Sequence, residues 1–499
     1  TLSVNSILQD QSKNKVNDLD VNGVKVRFQN VKDLPPKELR KLVDKGKKEL
    51  GEGIVIVFAS KDDKVGIAVG VTAKLTEKFD AVEFVKAGSA ASAGALLASP
   101  HIVNAQNSSK TIKVGLVGIG GRGSGAAAQA MAADDNVALT AIGDMFEDRI
   151  KLRSRILKAR GRDKYQVTPE TTFSGIDAYK KVIDSGVDVV ILTSPPNFRP
   201  QHLEYAIEKG VHCFFEKPVA VDAPGVRKVI ELAKKAKEKN LGFMSGFCWR
   251  HHYPKQEVFG RILDGALGDV HAMYSTYNGG EVWKKKREEG WGDLEAQLRN
   301  WNAHLWLSGD SIVEQAVHCI DMMQWAMGDQ LPLHAEGSGG RQVYDDPDKY
   351  GNIYDHFACV YEWENGAKGY HFSRQQNGTV GSYEVELFGT KGSCSAKNRH
   401  TIIAGDESWR YRGENNDMYQ TEHDVLFSSI RASKPFNDGE KAAHSSMVAI
   451  LGRMVAYTGQ KITYQQALNS KEDLTPSHFD WDQALEVPAP PTPGVTRFI

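Results

Sequence analysis

Gly118, Gly120 and Gly123 stand in G-x-G-x-x-G spacing directly behind the apolar run 111–117, a pattern that brings backbone amides against an anion. Gly118 permits a tight turn and Gly120 lets the chain approach a pyrophosphate. Gly123 allows the next helix to pack closely, with its N-terminal amides facing the charge. Ile119, Gly121 and Arg122 complete the loop and count with it as cofactor-contacting candidates. A small-residue helix over 124–133 and an apolar strand over 137–142 finish a βαβ unit, and that strand runs into Asp144 about 20 residues beyond the last glycine. The Asp144 carboxylate would accept from the ribose hydroxyls of a dinucleotide and repel a 2′-phosphate, so NAD is expected over NADP. Arg122 leaves three roles open: a hold on the pyrophosphate, a reach to a 2′-phosphate, or a solvated loop charge.

The elements that must position these residues follow the same rhythm. Apolar strands over 187–193, 211–215 and 241–247 alternate with helices over 200–209 and 223–239, the order of a parallel α/β sheet. Such sheets bind ligands outside the C-terminal strand ends. Ser194-Pro195-Pro196-Asn197 and Glu216-Lys217-Pro218 both fall at such ends, and a lysine immediately after a buried strand is placed to meet a ligand. Farther along, alternating segments over 270–277, 357–363, 369–373 and 383–388 predict a mainly antiparallel sheet.

Other features set limits. The 499 residues carry 62 Lys and Arg against 63 Asp and Glu, so no global field points to nucleic acid. Five cysteines, Cys213, Cys248, Cys319, Cys359 and Cys394, lie far apart without a Cys-x-x-Cys pair; buried thiols are expected, and no metal. No run reaches the roughly 18 to 20 apolar residues of a spanning helix. Residues 1–19 read as a poorly ordered, polar lead-in. A strand over 21–28, a helix over 36–50 and strands over 54–59 and 65–71 then predict a small α/β module spanning 20–86. Its Lys45, Lys47 and Lys48 either solvate a helix face or meet RNA phosphates. Residues 87–109 are an Ala/Gly-rich stretch, either a linker or part of a signal-like segment.

Within the module, Leu39-Arg40-Lys41-Leu42, Gly53-Ile54-Val55-Ile56-Val57 and Gly66-Ile67-Ala68-Val69-Gly70-Val71-Thr72 resemble the C-terminal DHHA1-type domain of alanyl-tRNA synthetases. That likeness implies an accessory module, natural or engineered, with no catalytic residues of its own. Residues 83–105 resemble a twin-arginine export signal, with Ala81 and Val82 where the arginines would stand. The likeness implies a periplasmic or exported enzyme part, while the chain as written would stay cytoplasmic.

The glycine loop, the two strand-end segments and Glu314-Gln315-Ala316-Val317-His318, in that order, resemble the Gfo/Idh/MocA family of NAD(P)-dependent oxidoreductases over residues 110–499. The resemblance implies a Rossmann domain over 110–247 and, over 248–499, an α+β domain with a large open sheet, ending in a tail like that of the exported branch. Oxidising a secondary alcohol removes a hydroxyl proton while a hydride leaves the same carbon, which calls for a base of near-neutral pKa. By the resemblance that base is His318, with Lys217 bonding the reacting oxygen and Glu314 orienting the imidazole or the substrate from one helical turn earlier. The family more usually has Asp at that position, so Glu314 is a departure. Glu216 would help to place the nicotinamide ribose, and Ser194, Pro195, Asn197, His202 and Lys217 itself would line the cofactor.

Arg250, Tyr253, Arg299 and Trp301 supply the polar groups and aromatic planes that sugar rings use, and are the substrate candidates, although tryptophans at such spacing also build cores. Three functions follow. The first is an NAD-linked oxidoreductase acting on a ring hydroxyl of a sugar, glycoside or cyclitol. The second is a glycoside hydrolase working by oxidation, elimination, hydration and reduction with no net redox change. The third, from another class, is a noncatalytic or RNA-contacting fusion protein. The resemblance also implies a homodimer or homotetramer, with no membrane partner.

Overall fold

The computed structural model describes residues 14–21, 23–32, 39–61, 64–76, 79, 110–397, 400–405 and 407–499. Two compact units divide the chain, Thr1–Ile102 and Val103–Ile499.

In the first unit, strands β1 (Asn14–Val21), β2 (Val24–Lys32), β3 (Ile54–Lys61) and β4 (Lys64–Val71) form a sheet in that order. Val55 and Val57 point to the helix Leu39–Leu50 and pack on Leu39, Leu42 and Val43, while Ile54 and Ile56 face the other way with Val26 and Val71. That alternation is the period of two a strand imposes. Two expectations change. Residues 14–19, read as lead-in, belong to an edge strand held by backbone pairing and by Asp18, which bonds its cross-strand partner Arg27 at 2.7 Å. The single strand expected over 21–28 is broken by a hairpin turn, where Gly23 takes φ +80° and its amide donates to Asp20. Residues 1–13 and the signal-like stretch 83–109 lie outside the described residues.

The second unit begins with an all-parallel sheet in the order β10-β9-β8-β5-β6-β7. Its strands are β5 (Ile112–Val117), β6 (Val137–Asp144), β7 (Thr172–Ser174), β8 (Val189–Leu192), β9 (His212–Phe215) and β10 (Phe243–Ser245). The order reverses direction between β5 and β8, which opens the ligand crevice of a doubly wound fold at their C-terminal ends. The core is completed from far away: Leu426 and Phe427 of the helix Met418–Arg431 are fully buried with Val114, Leu116, Phe214 and Met244. The backbone of Phe243 also donates to Phe436 at 2.9 Å. The expected boundary at 247/248 therefore describes the chain's first crossing only.

The second sheet has nine strands: β11 (Val270–Gly279), β12 (His334–Gly340), β13 (His356–Glu362), β14 (Lys368–Gln375), β15 (Ser382–Gly389), β16 (Gly392–Ser395), β17 (Thr401–Ala404), β18 (Glu407–Arg410) and β19 (Ile462–Thr463). All pairs are antiparallel except β11 with β14. Helices Val317–Ala326 and Gly439–Thr458 are buried with this sheet's inner residues. Tyr274, Tyr370, Phe372 and Phe388 remain exposed, with Tyr274 directly opposite Tyr370.

Candidate active site

Strand β5 ends where Gly118 takes φ +88°, a conformation a side chain would strain. A Cβ there would lie 2.7 Å from the backbone of Thr193 and Ser194, beyond the end of β8. At Gly123 a Cβ would run into the Gly118 carbonyl, so the helix Gly121–Ala132 starts this close only without one. Gly120 is that helix's N-cap; it supplies no side-chain cap, and a Cβ on it would meet nothing within 4 Å. An uncapped N-terminus beside open space at a strand-order reversal fits a pyrophosphate. Asp144 closes the loop from β6: its carboxylate accepts the amides of Ile119 at 2.7 Å and Phe146 at 3.0 Å. Burial raises this carboxyl above its ordinary value against the pull of those amides and of Arg149. Two of its roughly four lone-pair sites remain for ribose hydroxyls.

Three of the five N–H groups of Arg122 are committed inside the fold, which speaks against a merely solvated loop charge. Its Nε pairs with Glu216, Nη1 donates to Gln129 at 2.7 Å and Nη2 to Glu422 at 2.7 Å, with the Tyr419 ring 4.8 Å away. Burial works against its charge, but the two carboxylates outweigh it and hold the guanidinium above its ordinary value. A guanidinium with all three nitrogens engaged is a strut between the glycine loop and the helix Met418–Arg431. Glu216, expected at the nicotinamide ribose, is one end of that strut.

His202 is packed as a core residue. It stacks on Tyr179 at 4.0 Å and near Phe198, and burial with the neighbouring Arg199 cation pushes it down to about 3, so it is neutral. Arg199 itself is 2% exposed; it donates to the carbonyls of Pro218 at 2.5 Å and Ser194 at 2.8 Å. It thereby ties the Ser194-Pro195-Pro196-Asn197 segment to the Lys217-Pro218 segment. Burial lowers it to about 10, with Glu216 and Glu314 opposing the shift. Replacing Arg199 with Met should strand both carbonyls and lower stability by about 2–4 kcal/mol, read by urea or thermal unfolding.

Lys217 spans the crevice. Its ammonium donates to the backbone carbonyl of Glu314 and, at 3.2 Å, to the Glu314 carboxylate. The carbonyl is available because a short helix, Ser311–Glu314, ends there. A separate helix, Val317–Ala326, begins after Gln315 and Ala316. This corrects the picture of Glu314 and His318 on one face of one helix: the i→i−4 ladder is interrupted between them, and the cation caps the freed terminus. His318, near the start of the second helix, stacks on Trp249 at 4.9 Å, with Phe247 edge-on at 6.1 Å. Its Nδ1 is buried without a partner. Burial, then the nearby cations of Lys217 and Lys255, lower the imidazole well below its ordinary value, so it is a neutral group and not one of near-neutral pKa.

The four substrate candidates are not brought to this cluster: among the described residues no hydrogen bond, ion pair or ring contact joins them to Lys217, Glu314 or His318. Arg250 is committed to Asp321 and Asp329, both at 2.7 Å. Tyr253 is exposed at the start of the helix Tyr253–Leu263. Trp301 packs edge-on to Trp283 in the apolar cluster that holds Phe146 and Phe198. Arg299 pairs with Asp148 at 2.9 Å and Glu295 at 2.7 Å and lies 4.0 Å over the Phe146 ring. It lines a cavity of about 450 Å³ with Met145, Glu147, Lys151 and Trp481. This cavity opens just past Asp144, where the adenosine end of a dinucleotide would lie. Arg199, Trp249, Lys255 and Glu422 join the site without having been candidates from their sequence positions. The signals were a basic residue two after Asn197 and the aromatic-rich run before Arg250. All five cysteines are buried free thiols.

Comparisons with known proteins agree with this architecture. A family model described as an oxidoreductase family with an NAD-binding Rossmann fold matches residues 112–244, and the GFO/IDH/MocA C-terminal domain matches 256–395. A myo-inositol 2-dehydrogenase of Thermotoga maritima is 24% identical over 336 residues, 65% of this chain and 90% of that protein. A solved structure of levoglucosan dehydrogenase, in complex with NADH and levoglucosan, superposes with a TM-score of 0.57 at 15% identity over 71% of this chain and 100% of its own. The N-terminal unit is similar to an alanine–tRNA ligase of Parvibaculum lavamentivorans, 51% identical over 73 residues. Those residues are 14% of this chain and span only 8% of the ligase. With both domain models matched in order across more than half of its length, the chain belongs to the Gfo/Idh/MocA family of NAD-dependent oxidoreductases.

Proposed function

We propose that the enzyme moves a hydride between a ring secondary hydroxyl of a sugar, glycoside or cyclitol and NAD. The observation that carries this is Lys217, which leaves the end of β9, docks on the terminus Ser311–Glu314 and lies within the field of His318. The glycine loop and Asp144 would hold the dinucleotide, and when bound its nicotinamide accepts or returns the hydride. His318, neutral and held in plane by Trp249, takes the hydroxyl proton. Lys217 spends two of its three N–H groups on Glu314 and keeps one for the substrate oxygen as it gains carbonyl character. Glu314 fixes the direction of that ammonium. Inositol and levoglucosan, named for the two relatives, support a polyhydroxylated ring as the substrate class.

A neutral imidazole is the competent base, and protonation disables it. Because burial depresses this group well below 6.5, the acid limb of kcat/KM for alcohol oxidation should fall below pH 6.5, not at it; a pH profile of NADH formation checks this. A net-neutral variant of the same chemistry, glycoside hydrolysis by oxidation, elimination, hydration and reduction, would use Lys217 and His318 in both redox halves. Release of aglycone from an aryl glycoside without added NAD would select it, and NADH formed in proportion to substrate would select simple oxidation. NAD is the cofactor favoured over NADP, because the Asp144 carboxylate at the end of β6 keeps lone pairs for ribose hydroxyls and repels a 2′-phosphate. The exposed Tyr274, Tyr370, Phe372 and Phe388 supply a face for a homo-oligomer.

A further inference from the structure

The C-terminal segment 474–485 crosses the same crevice from outside. At one end the Leu474 amide donates to Asp222 at 3.0 Å, just after Glu472, which is paired at 2.6 Å with the fully buried Arg453. At the other, the Leu485 amide donates to Asp293 at 3.0 Å and its carbonyl accepts Gln297 at 2.6 Å. Asp222 caps the Rossmann helix Ala223–Glu238, whereas Asp293 and Gln297 belong to the helix Asp293–Arg299 of the second domain. The segment therefore bridges the two domains across the strand ends. Between its anchors it touches both loops that flank the cleft. Asn197 donates to Thr475 at 3.4 Å, Phe479 packs 5.9 Å from Phe198 and from Trp306, and Trp481 stands edge-on to Phe146 at 6.2 Å.

We propose that residues 474–485 form a strap over the adenosine end of the cofactor cleft, and that Trp481 is a cofactor-binding residue carried by it. The proposal rests on NAD occupying the glycine-loop cleft. Trp481 is 40% exposed and lines the 450 Å³ cavity just past Asp144 together with Arg299, whose guanidinium covers the buried Phe146 ring at 4.0 Å. An exposed indole beside a guanidinium suits a purine, which stacks without needing its own hydrogen-bond code. Carboxylates outnumber cations around it, which suits a ribose over a 2′-phosphate. The dinucleotide then leaves only when the strap lifts, so the redox partner stays in place between the two halves of a cycle.

NADH dissociation, followed by its fluorescence on displacement with excess NAD, tests this on the full chain. Trp481→Ala should speed release and raise the NADH Kd about tenfold, and should weaken AMP, a probe of the adenosine end alone, by a similar factor. Trp481→Phe, which keeps a ring against Phe146, should recover most of both losses. Val495→Ser, 75% exposed and beyond the strap, is the control and should change neither. Wild-type NADH release and AMP inhibition in Trp481→Ala would overturn the strap. Failure of the unmutated protein to bind NADH at all would instead overturn the assignment of the cleft.

Discussion

Replacing Lys217 with Ala, or His318 with Ala, should lower kcat by about 10²–10⁴ while NADH still binds. Both side chains lie beyond the glycine loop and Asp144, the groups that would hold the dinucleotide, so titration of NADH fluorescence should show an affinity within a few-fold of the unmutated protein. The two losses should not add. Lys217 and His318 act on one oxygen, and residues that act as a unit lose most of their effect with the first deletion, so the double variant should fall close to the worse single one. Lys217→Ala also frees the carbonyl at the end of Ser311–Glu314, and some of its loss will be misplacement of His318, four residues beyond Glu314. Glu314→Gln separates these effects. It keeps the backbone carbonyl as a ligand of the ammonium and removes only the carboxylate, so it should cost far less than Lys217→Ala. Near-normal turnover in both alanine variants would reject the proposed roles outright.

What the residues alone disclosed, and what they withheld, follows the range of the forces involved. Gly118, Gly120 and Gly123 were legible because turn geometry, close approach and an open helix terminus act within a few residues. Lys217 was legible because a strand's hydrophobic run marks where it ends. Arg122 was not, since the carboxylate that claims it, Glu422, lies 300 positions away. Arg299 was misread for the same reason: its partner Asp148 is 151 positions earlier, on the first domain. The break after Glu314 was hidden because Gln315, Ala316 and Val317 suit a continuous helix as well as a broken one. Only the Lys217 cation and packing on the sheet reveal the interruption. The return of Met418–Arg431 onto the first sheet was equally silent, because an amphipathic helix does not name the surface it will cover.

The Arg122 strut gives the largest expected effect on stability. Glu422 has no exposed side-chain surface, and among the described residues its charge is offset by a guanidinium that also serves Glu216. Arg122→Met should cost about 3–5 kcal/mol, because it leaves a buried carboxylate without its cation. Arg122→Met with Glu422→Gln should recover a large part of that loss, since the neutral amide needs no counter-charge; unfolding of the two singles and the double gives the coupling directly. The pH dependence has a definite sign. Burial already raises the Glu422 carboxyl well above 4.5, and loss of Arg122 raises it further, so the folded state keeps a proton that the unfolded chain releases. The Glu422 contribution to the stability of Arg122→Met, read as the difference from the unmutated protein, should therefore be most favourable below about pH 4.5 and decline as pH rises toward the folded-state value, at about 1.4 kcal/mol per unit. Adding Glu422→Gln should flatten that decline. A single variant as stable as the unmutated protein at neutral pH would mean that Glu422 finds water or another donor, and that the glycine loop does not depend on the distant helix.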